Sequence, residues 1–188
     1  MEEALDFFAT WLYNKKLPCP EVGVSVAVDW LTSAHRLGED VGCVDFQDAV
    51  VDEIIRRLTA GNRIVVDQDV LCYMIWGFPQ GSGGWKFAID YHVHMTEREP
   101  IDEVKTYLER YPSAEFIIEL VEKFCEVKGY KRPDDVKEIE FSTALVCGFL
   151  SAKGTGNGKV NEDHPWKVDP CQYHLHLEHG TQCYKTKQ

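Results

Sequence analysis

The chain has 188 residues, enough for one domain or two small ones, and its 44% hydrophobic residues can form a buried core. Its formal net charge of -11 argues against a main task in binding nucleic acid or anionic membranes. No apolar run approaches the roughly 18 residues that a membrane-spanning helix needs, and the acidic N-terminus does not read as a signal peptide. The seven scattered cysteines favour a reducing compartment, so we expect a cytoplasmic or nuclear protein.

Apolar periodicity along the chain predicts an all-α, mainly helical fold of seven to nine helices. In the first helix we expect Leu5, Phe8 and Leu12 to face inward, with Trp11 as a further candidate for the same face. Residues 84–95 alternate as a strand would, yet they also place apolar side chains on one helical face, and we favour the helix. The predicted helices cover residues 3–14, 24–40, 45–60, 67–76, 84–95, 100–108, 113–128 and 135–150.

The third of these helices has the clearest pattern. Asp45 is the predicted N-cap, with Asp48 three residues later in a capping-box arrangement. Ile54 is a predicted core position on its apolar face. Two ion pairs at i,i+4 spacing are expected on the other face, Asp52–Arg56 and Glu53–Arg57, each worth a few tenths of a kcal/mol.

Two motifs in the middle of the chain suggest enzyme chemistry. The glycine-rich run before Lys86 lacks the spacing and the Ser or Thr of a phosphate-binding loop, so a turn is expected there. His92 and His94 would point to one side of a strand, as in metal-dependent hydrolases, but they would face apart on a helix. A small metal-dependent hydrolase that uses these histidines or the C-terminal cluster is therefore the alternative interpretation.

The C-terminal region carries the strongest local chemistry. Five potential ligands lie between residues 171 and 183, where two thiolates and two imidazoles would complete a tetrahedral Zn²⁺ site. A surface tail or a disulfide on oxidation are the competing interpretations. The preferred ligands of this structural zinc site are Cys171, His174, His176 and Cys183, with His179 as the alternate.

Several phrases together resemble a known family. The Trp-Leu-Tyr tripeptide at 11–13, the helix reading Trp30, Leu31, Ala34 and Leu37, and the Asp-Phe-Gln-Asp-Ala-Val phrase at 45–50 resemble the C-terminal helices of fungal BTB/POZ-domain proteins. The likeness covers residues 3–60. The Cys-x-Tyr-His-x-His and Cys-Tyr phrases of the tail are similar to the end of many such proteins.

The resemblance implies a non-enzymatic protein–protein interaction module, adaptor-like, whose partner is another protein. The β-rich part of a BTB domain has no counterpart in residues 1–60. We therefore expect docking onto a cullin-type scaffold, and homodimerisation of the BTB kind, to be weak or absent. The expected organisation is BTB-like helices at 1–62, a helical extension at 63–150, and a linker with a Cys/His-rich tail at 151–188.

Overall fold

The computed structural model of the chain describes residues 2–18, 21–59, 68–95, 114–128 and 164–187. These ranges contain helices and no strand, so the predicted all-α class is confirmed for them. The predicted helices at 100–108 and 135–150 lie outside the described residues. The α-helices are α1 (Glu2–Asn14), α2 (Val24–Asp40), α3 (Val44–Thr59), α4 (Gln68–Gly77), α5 (Gly83–Met95), α6 (Ala114–Lys128), α7 (Pro165–Val168) and α8 (Leu175–His179).

Two short 3-10 helices complete the C-terminal tail, by which we mean residues 164–187. They run over Pro170–Tyr173 and Tyr184–Lys187. Residues 84–95 are helical in α5, as favoured from the sequence. No helix in the described part of the chain has the length and apolar character needed to cross a bilayer.

The chain divides into two compact units. The first comprises residues 1–88 together with 163–188, and the second comprises residues 89–162. In the first unit α2 packs against α1, α3 and α4, and the tail returns to pack on α3. In the second unit, α6 buries an apolar face made of Phe116, Ile117, Leu120 and Phe124.

The core of the first unit is centred on α3. Ile54 and Phe46 are fully buried there, which confirms the predicted core role of Ile54. The helix begins at Val44, so Asp45 lies inside its first turn rather than at the cap position. Asp48 is also buried, and its carboxylate turns toward the tail. The predicted capping box is therefore wrong, because Asp48 has a partner elsewhere in the chain.

The buried face of α1 differs in part from the predicted one, because Trp11 faces the core as expected but Leu5 and Leu12 do not. Ala4, Phe7 and Trp11 are buried, whereas Leu5 remains 53% and Leu12 46% exposed. Both sets satisfy the i, i+3, i+7 spacing of a helical stripe, so periodicity alone could not separate them. The aromatic stripe is the buried one, with the Trp11 ring 5.3 Å from a ring of α3, because large rings bury the most apolar area.

Two glycines permit close helix contacts in the first unit. A Cβ on Gly77 of α4 would lie 2.3 Å from Cβ of Thr32 on α2. A Cβ on Gly83, at the start of α5, would lie 1.8 Å from the carbonyl oxygen of Tyr173 in the tail. Both distances are far below van der Waals contact, so the missing side chain lets α2 and the tail approach these helices.

Candidate metal centre

Four potential metal ligands converge in the C-terminal tail. The ligand atoms of Cys171, His174, His176 and Cys183 all lie within 4.8 Å of one another. These are the four residues that the sequence analysis preferred. Both histidines are buried and both cysteines are half-buried, so the donors meet at the inner surface of the tail.

The spacing of the donors fits a tetrahedral metal after a small contraction. Zinc bonds of about 2.3 Å to sulfur and about 2.0 Å to nitrogen place tetrahedral ligand atoms about 3.3–3.8 Å apart. The distance from Sγ of Cys183 to Nδ1 of His174 is 4.0 Å, close to that range. The largest separation of 4.8 Å exceeds the ideal edge by about 1 Å, a shift that side-chain rotation can supply.

Short elements of the tail position these ligands. The side chain of Asp169 accepts a hydrogen bond of 3.0 Å from the backbone N–H of Cys171 and so caps the first 3-10 helix. His174 is the N-cap of α8, which brings His176 into the first turn of that helix. Gly180 ends α8 in the left-handed conformation with φ of 63°, and the chain then turns back toward Cys183.

A buried carboxylate of α3 orients His176. Oδ2 of Asp48 lies 2.7 Å from Nδ1 of His176. The same carboxylate accepts backbone N–H bonds from Leu175 at 2.6 Å and from His176 at 3.3 Å. Because Nδ1 of His176 is engaged, Nε2 is the atom left to face a metal. Carboxylates that hold the outer nitrogen of a ligating histidine are a common feature of zinc sites.

A second carboxylate, one turn further along α3, faces His174. Oδ1 of Asp52 lies 3.1 Å from Nε2 of His174. The direction of this contact does not meet the geometry of a hydrogen bond, so Nε2 has no hydrogen-bond partner among the described residues. Nδ1 of His174 is then the atom that faces Cys183. Asp52 also accepts a short hydrogen bond from the hydroxyl of Tyr184 and contacts Nζ of Lys185 at 2.8 Å.

The surroundings shift the acidity of several groups at this centre. Burial raises the pKa of Asp52, but hydrogen bonds from His174, Lys185 and Tyr184 outweigh it, so the net pKa is below the usual value. Burial, together with the neighbouring Cys183, raises the pKa of the Cys171 thiol. Ionisation of both neighbouring thiols would place two negative charges side by side, which is unfavourable. A divalent cation between the two sulfur atoms would stabilise this pair of thiolates.

Aromatic packing fixes the tail against the first unit. Tyr173 is buried, and its ring meets the ring of Phe87 edge-on with centroids 5.3 Å apart. Trp166 is also buried, and its ring lies 5.8 Å from the same phenylalanine. Tyr173 sits directly before His174, so its packing holds the ligand-bearing segment in place. The tail is therefore an integral part of the first unit.

The other residues considered as ligands lie elsewhere. His179 is exposed at the end of α8 and does not belong to the group of four. His92 and His94 lie two residues apart on α5, so their side chains project from different sides of the helix. Burial lowers the pKa of His92 to about 4. Within the described ranges, only the tail brings three or more potential ligands together.

Sequence reasoning missed both carboxylates of α3. Asp52 was assigned to an ion pair with Arg56, whereas Arg56 contacts Glu53 at 2.5 Å and Asp52 faces the tail. The other predicted pair, Glu53–Arg57, is confirmed at 2.9 Å. A signal for Asp48 was present, since it falls in phase with the apolar stripe of α3, and an acid at a core position predicts a buried partner.

Comparisons with protein-family models, with curated proteins and with solved structures find no match for this chain.

Proposed function

We propose that the tail holds a structural zinc ion, bound by Cys171, His174, His176 and Cys183. The observation that carries the proposal is the hydrogen bond between Nδ1 of His176 and the buried carboxylate of Asp48, with the half-buried carboxylate of Asp52 3.1 Å from Nε2 of His174. The Asp48 contact fixes the tautomer of His176 and raises its basicity toward a metal. Two thiolates with two imidazoles in tetrahedral spacing is the donor set that zinc prefers.

The proposed ion is structural rather than catalytic. Four protein ligands saturate tetrahedral coordination, whereas a catalytic zinc keeps one position open for water or substrate. The tail also needs a source of order, because its helices are only four or five residues long. Metal binding would stabilise these short turns and the docking of the tail on α3.

Elemental analysis of protein purified without a polyhistidine tag tests this proposal. We expect one zinc per chain in the wild type and at most a small residual fraction in Cys171→Ser. The matched control is Cys43→Ser, which removes a free thiol outside the cluster. A wild type without zinc would contradict the proposal, and so would a Cys171→Ser variant that retains zinc as fully as the control does.

We also propose that the chain acts as a non-enzymatic protein-interaction module. Its support is the resemblance to the terminal helices of BTB/POZ proteins and the apolar side chains that α1 leaves in solvent. Leu5, Leu12 and Tyr13 are at least 46% exposed, and exposed apolar clusters favour protein contact. The partner is another protein, and a cullin-type scaffold is disfavoured because the described residues contain no β-strand.

Affinity capture followed by measurement with purified components tests the interaction module. We expect a partner identified by mass spectrometry to bind the wild type, and to bind Leu12→Glu at least tenfold more weakly in calorimetry. Val168→Glu, a change at an exposed apolar residue of the tail, is the control and should bind normally. Equal binding by both variants would exclude α1 as the contact surface.

An esterase assay tests the hydrolase alternative. Zinc-dependent ester hydrolysis by the wild type that is abolished in His92→Ala would favour this alternative over the interaction module.

A further inference from the structure

An open cavity of about 570 Å³ lies between the end of α1, one face of α3 and the end of the tail. Trp11 and Tyr184 contribute aromatic walls. Four cationic side chains and two carboxylates line it, so its local charge is positive in a chain whose formal net charge is -11. A volume of this size accommodates a small organic ligand.

The two carboxylates of this cavity are already engaged by cations. Asp52 is paired with Lys185 at 2.8 Å, and Glu53 is held by Arg56 at 2.5 Å. The cations that remain are Lys15 and Lys16, which pair with no carboxylate among the described residues. The positive charge offered to a ligand is therefore that of two lysines that are consecutive in the chain and line the cavity.

The backbone conformation at Lys15 places its ammonium group over the ring of Trp11. Lys15 follows α1 in the left-handed conformation, with φ of 52°, and its N–H donates to the carbonyl of Trp11 at 2.8 Å. Glycine is the residue that favours this helix-ending conformation, and a lysine there is strained. The turn brings Nζ of Lys15 to 4.0 Å from the centre of the Trp11 ring.

The accessible donors on this side of the cavity are the lysine ammonium groups. Nε1 of Trp11 is enclosed and Trp11 is only 3% exposed, so the indole N–H is not accessible to a ligand. Ammonium groups only donate, so a ligand that complements them must supply acceptor oxygens and negative charge.

We propose that this cavity binds a small molecule carrying a phosphate monoester. A dianion can accept from Lys15 and Lys16 together, which a single carboxylate does less well because it carries half the charge. The aromatic walls suit a planar or apolar group attached to the phosphate. This site is separate from the proposed zinc ion, whose four ligands do not line the cavity.

Calorimetry with phenyl phosphate as the probe, on the full-length protein as purified, tests the proposal. We expect saturable binding at one site per chain, and no binding of phenol at the same concentrations. Benzoate, with a single negative charge, should bind at least about fivefold more weakly than phenyl phosphate. Binding that does not saturate, or that is equal for phenol, would overturn the proposal.

The substitution Lys15→Gly separates ligand binding from structural damage. Glycine suits the φ of 52°, so we expect the melting temperature to be maintained while the affinity for phenyl phosphate falls about fivefold or more. Lys16→Ala should lower the affinity similarly. Lys86→Ala removes the same charge from an exposed site outside the cavity and should leave the affinity within about twofold. Equal affinities in the three variants would refute the site.

Zinc content measured on the same samples keeps the two proposals distinguishable. We expect Lys15→Gly and Lys16→Ala to contain as much zinc as the wild type, because neither residue belongs to the group of four potential ligands. If no variant or wild type contains zinc while phenyl phosphate still binds, the metal proposal fails and this one stands. If zinc is present and phenyl phosphate does not bind, only the phosphate site is refuted.

Discussion

The substitution Asp48→Ala removes the contact through which α3 holds the tail. Its carboxylate is fully buried and accepts from two backbone N–H groups and one ring nitrogen, at 2.6, 3.3 and 2.7 Å. A hydrogen bond to a charged group contributes about 1.5–3 kcal/mol, and removing the acceptor leaves buried donors without a partner. These bonds share one carboxylate and are not additive, so we expect a loss of about 3–5 kcal/mol of unfolding free energy.

Zinc affinity should change along with stability. Loss of a carboxylate behind a ligating histidine typically weakens metal binding about 10- to 100-fold. Urea unfolding and chelator competition measure the two effects on the same preparation. Asp40→Ala is the control, because it removes an exposed acid at the end of α2. If Asp48→Ala changes stability and zinc affinity no more than Asp40→Ala does, the assigned role of the α3 carboxylate is wrong.

Three further substitutions test packing and charge in the first unit. Gly83→Ala would place Cβ 1.8 Å from a backbone oxygen of the tail and should cost about 1–3 kcal/mol or more in urea unfolding, whereas Gly23→Ala meets open space and should be nearly neutral. Ile54→Ala leaves a cavity at a fully buried site and should lower the unfolding free energy by about 2–5 kcal/mol. Leu5→Ala, at a side chain that is 53% exposed, should lower it by much less, and a larger effect at Leu5 than at Ile54 would contradict the assigned burial. Burial lowers the pKa of His35 from 6.5 to about 4, so the unfolded chain takes up its proton first. The contribution of His35 to the unfolding free energy should therefore be complete above pH 6.5 and fall by roughly 3 kcal/mol as the pH decreases to 4, measured in EDTA. His35→Phe should remove this part of the slope, while the part due to His92, whose pKa is also lowered to about 4, should remain.

The sequence was informative wherever the signal is local. Helical periodicity located α1 to α6 to within one or two residues and missed the short helices of the tail, and Ile54 was recognisable as core. The four donors of the tail were recognisable as a group because they lie within a few residues of one another, between positions 171 and 183. Residues that are close in sequence stay close in the folded protein, because short turns can bring them together without contacts from distant parts of the chain.

Features that depend on contacts between distant parts of the chain could not be predicted from local sequence patterns. Asp48 and Asp52 look like ordinary acids of a charged helix, and their roles depend on tail residues more than a hundred positions away. The buried face of α1 was predicted only in part for the same reason. Two neighbouring stripes have the same periodicity, and Phe46 of α3 contacts one ring from each of them, Phe8 and Trp11.

The long-range contact between α3 and the tail has a consequence for chain length. Asp48 and Leu175 are separated by 127 positions, and bringing two such points together in an unfolded chain costs about 4 kcal/mol of entropy by the logarithmic rule. Doubling the separation would add only about 0.6 kcal/mol. Insertions between residues 129 and 163 should therefore leave the docking of the tail nearly unaffected in free energy. The four potential ligands, by contrast, lie within a short stretch of chain, so lengthening the turn between His176 and Cys183 would weaken the proposed zinc binding directly.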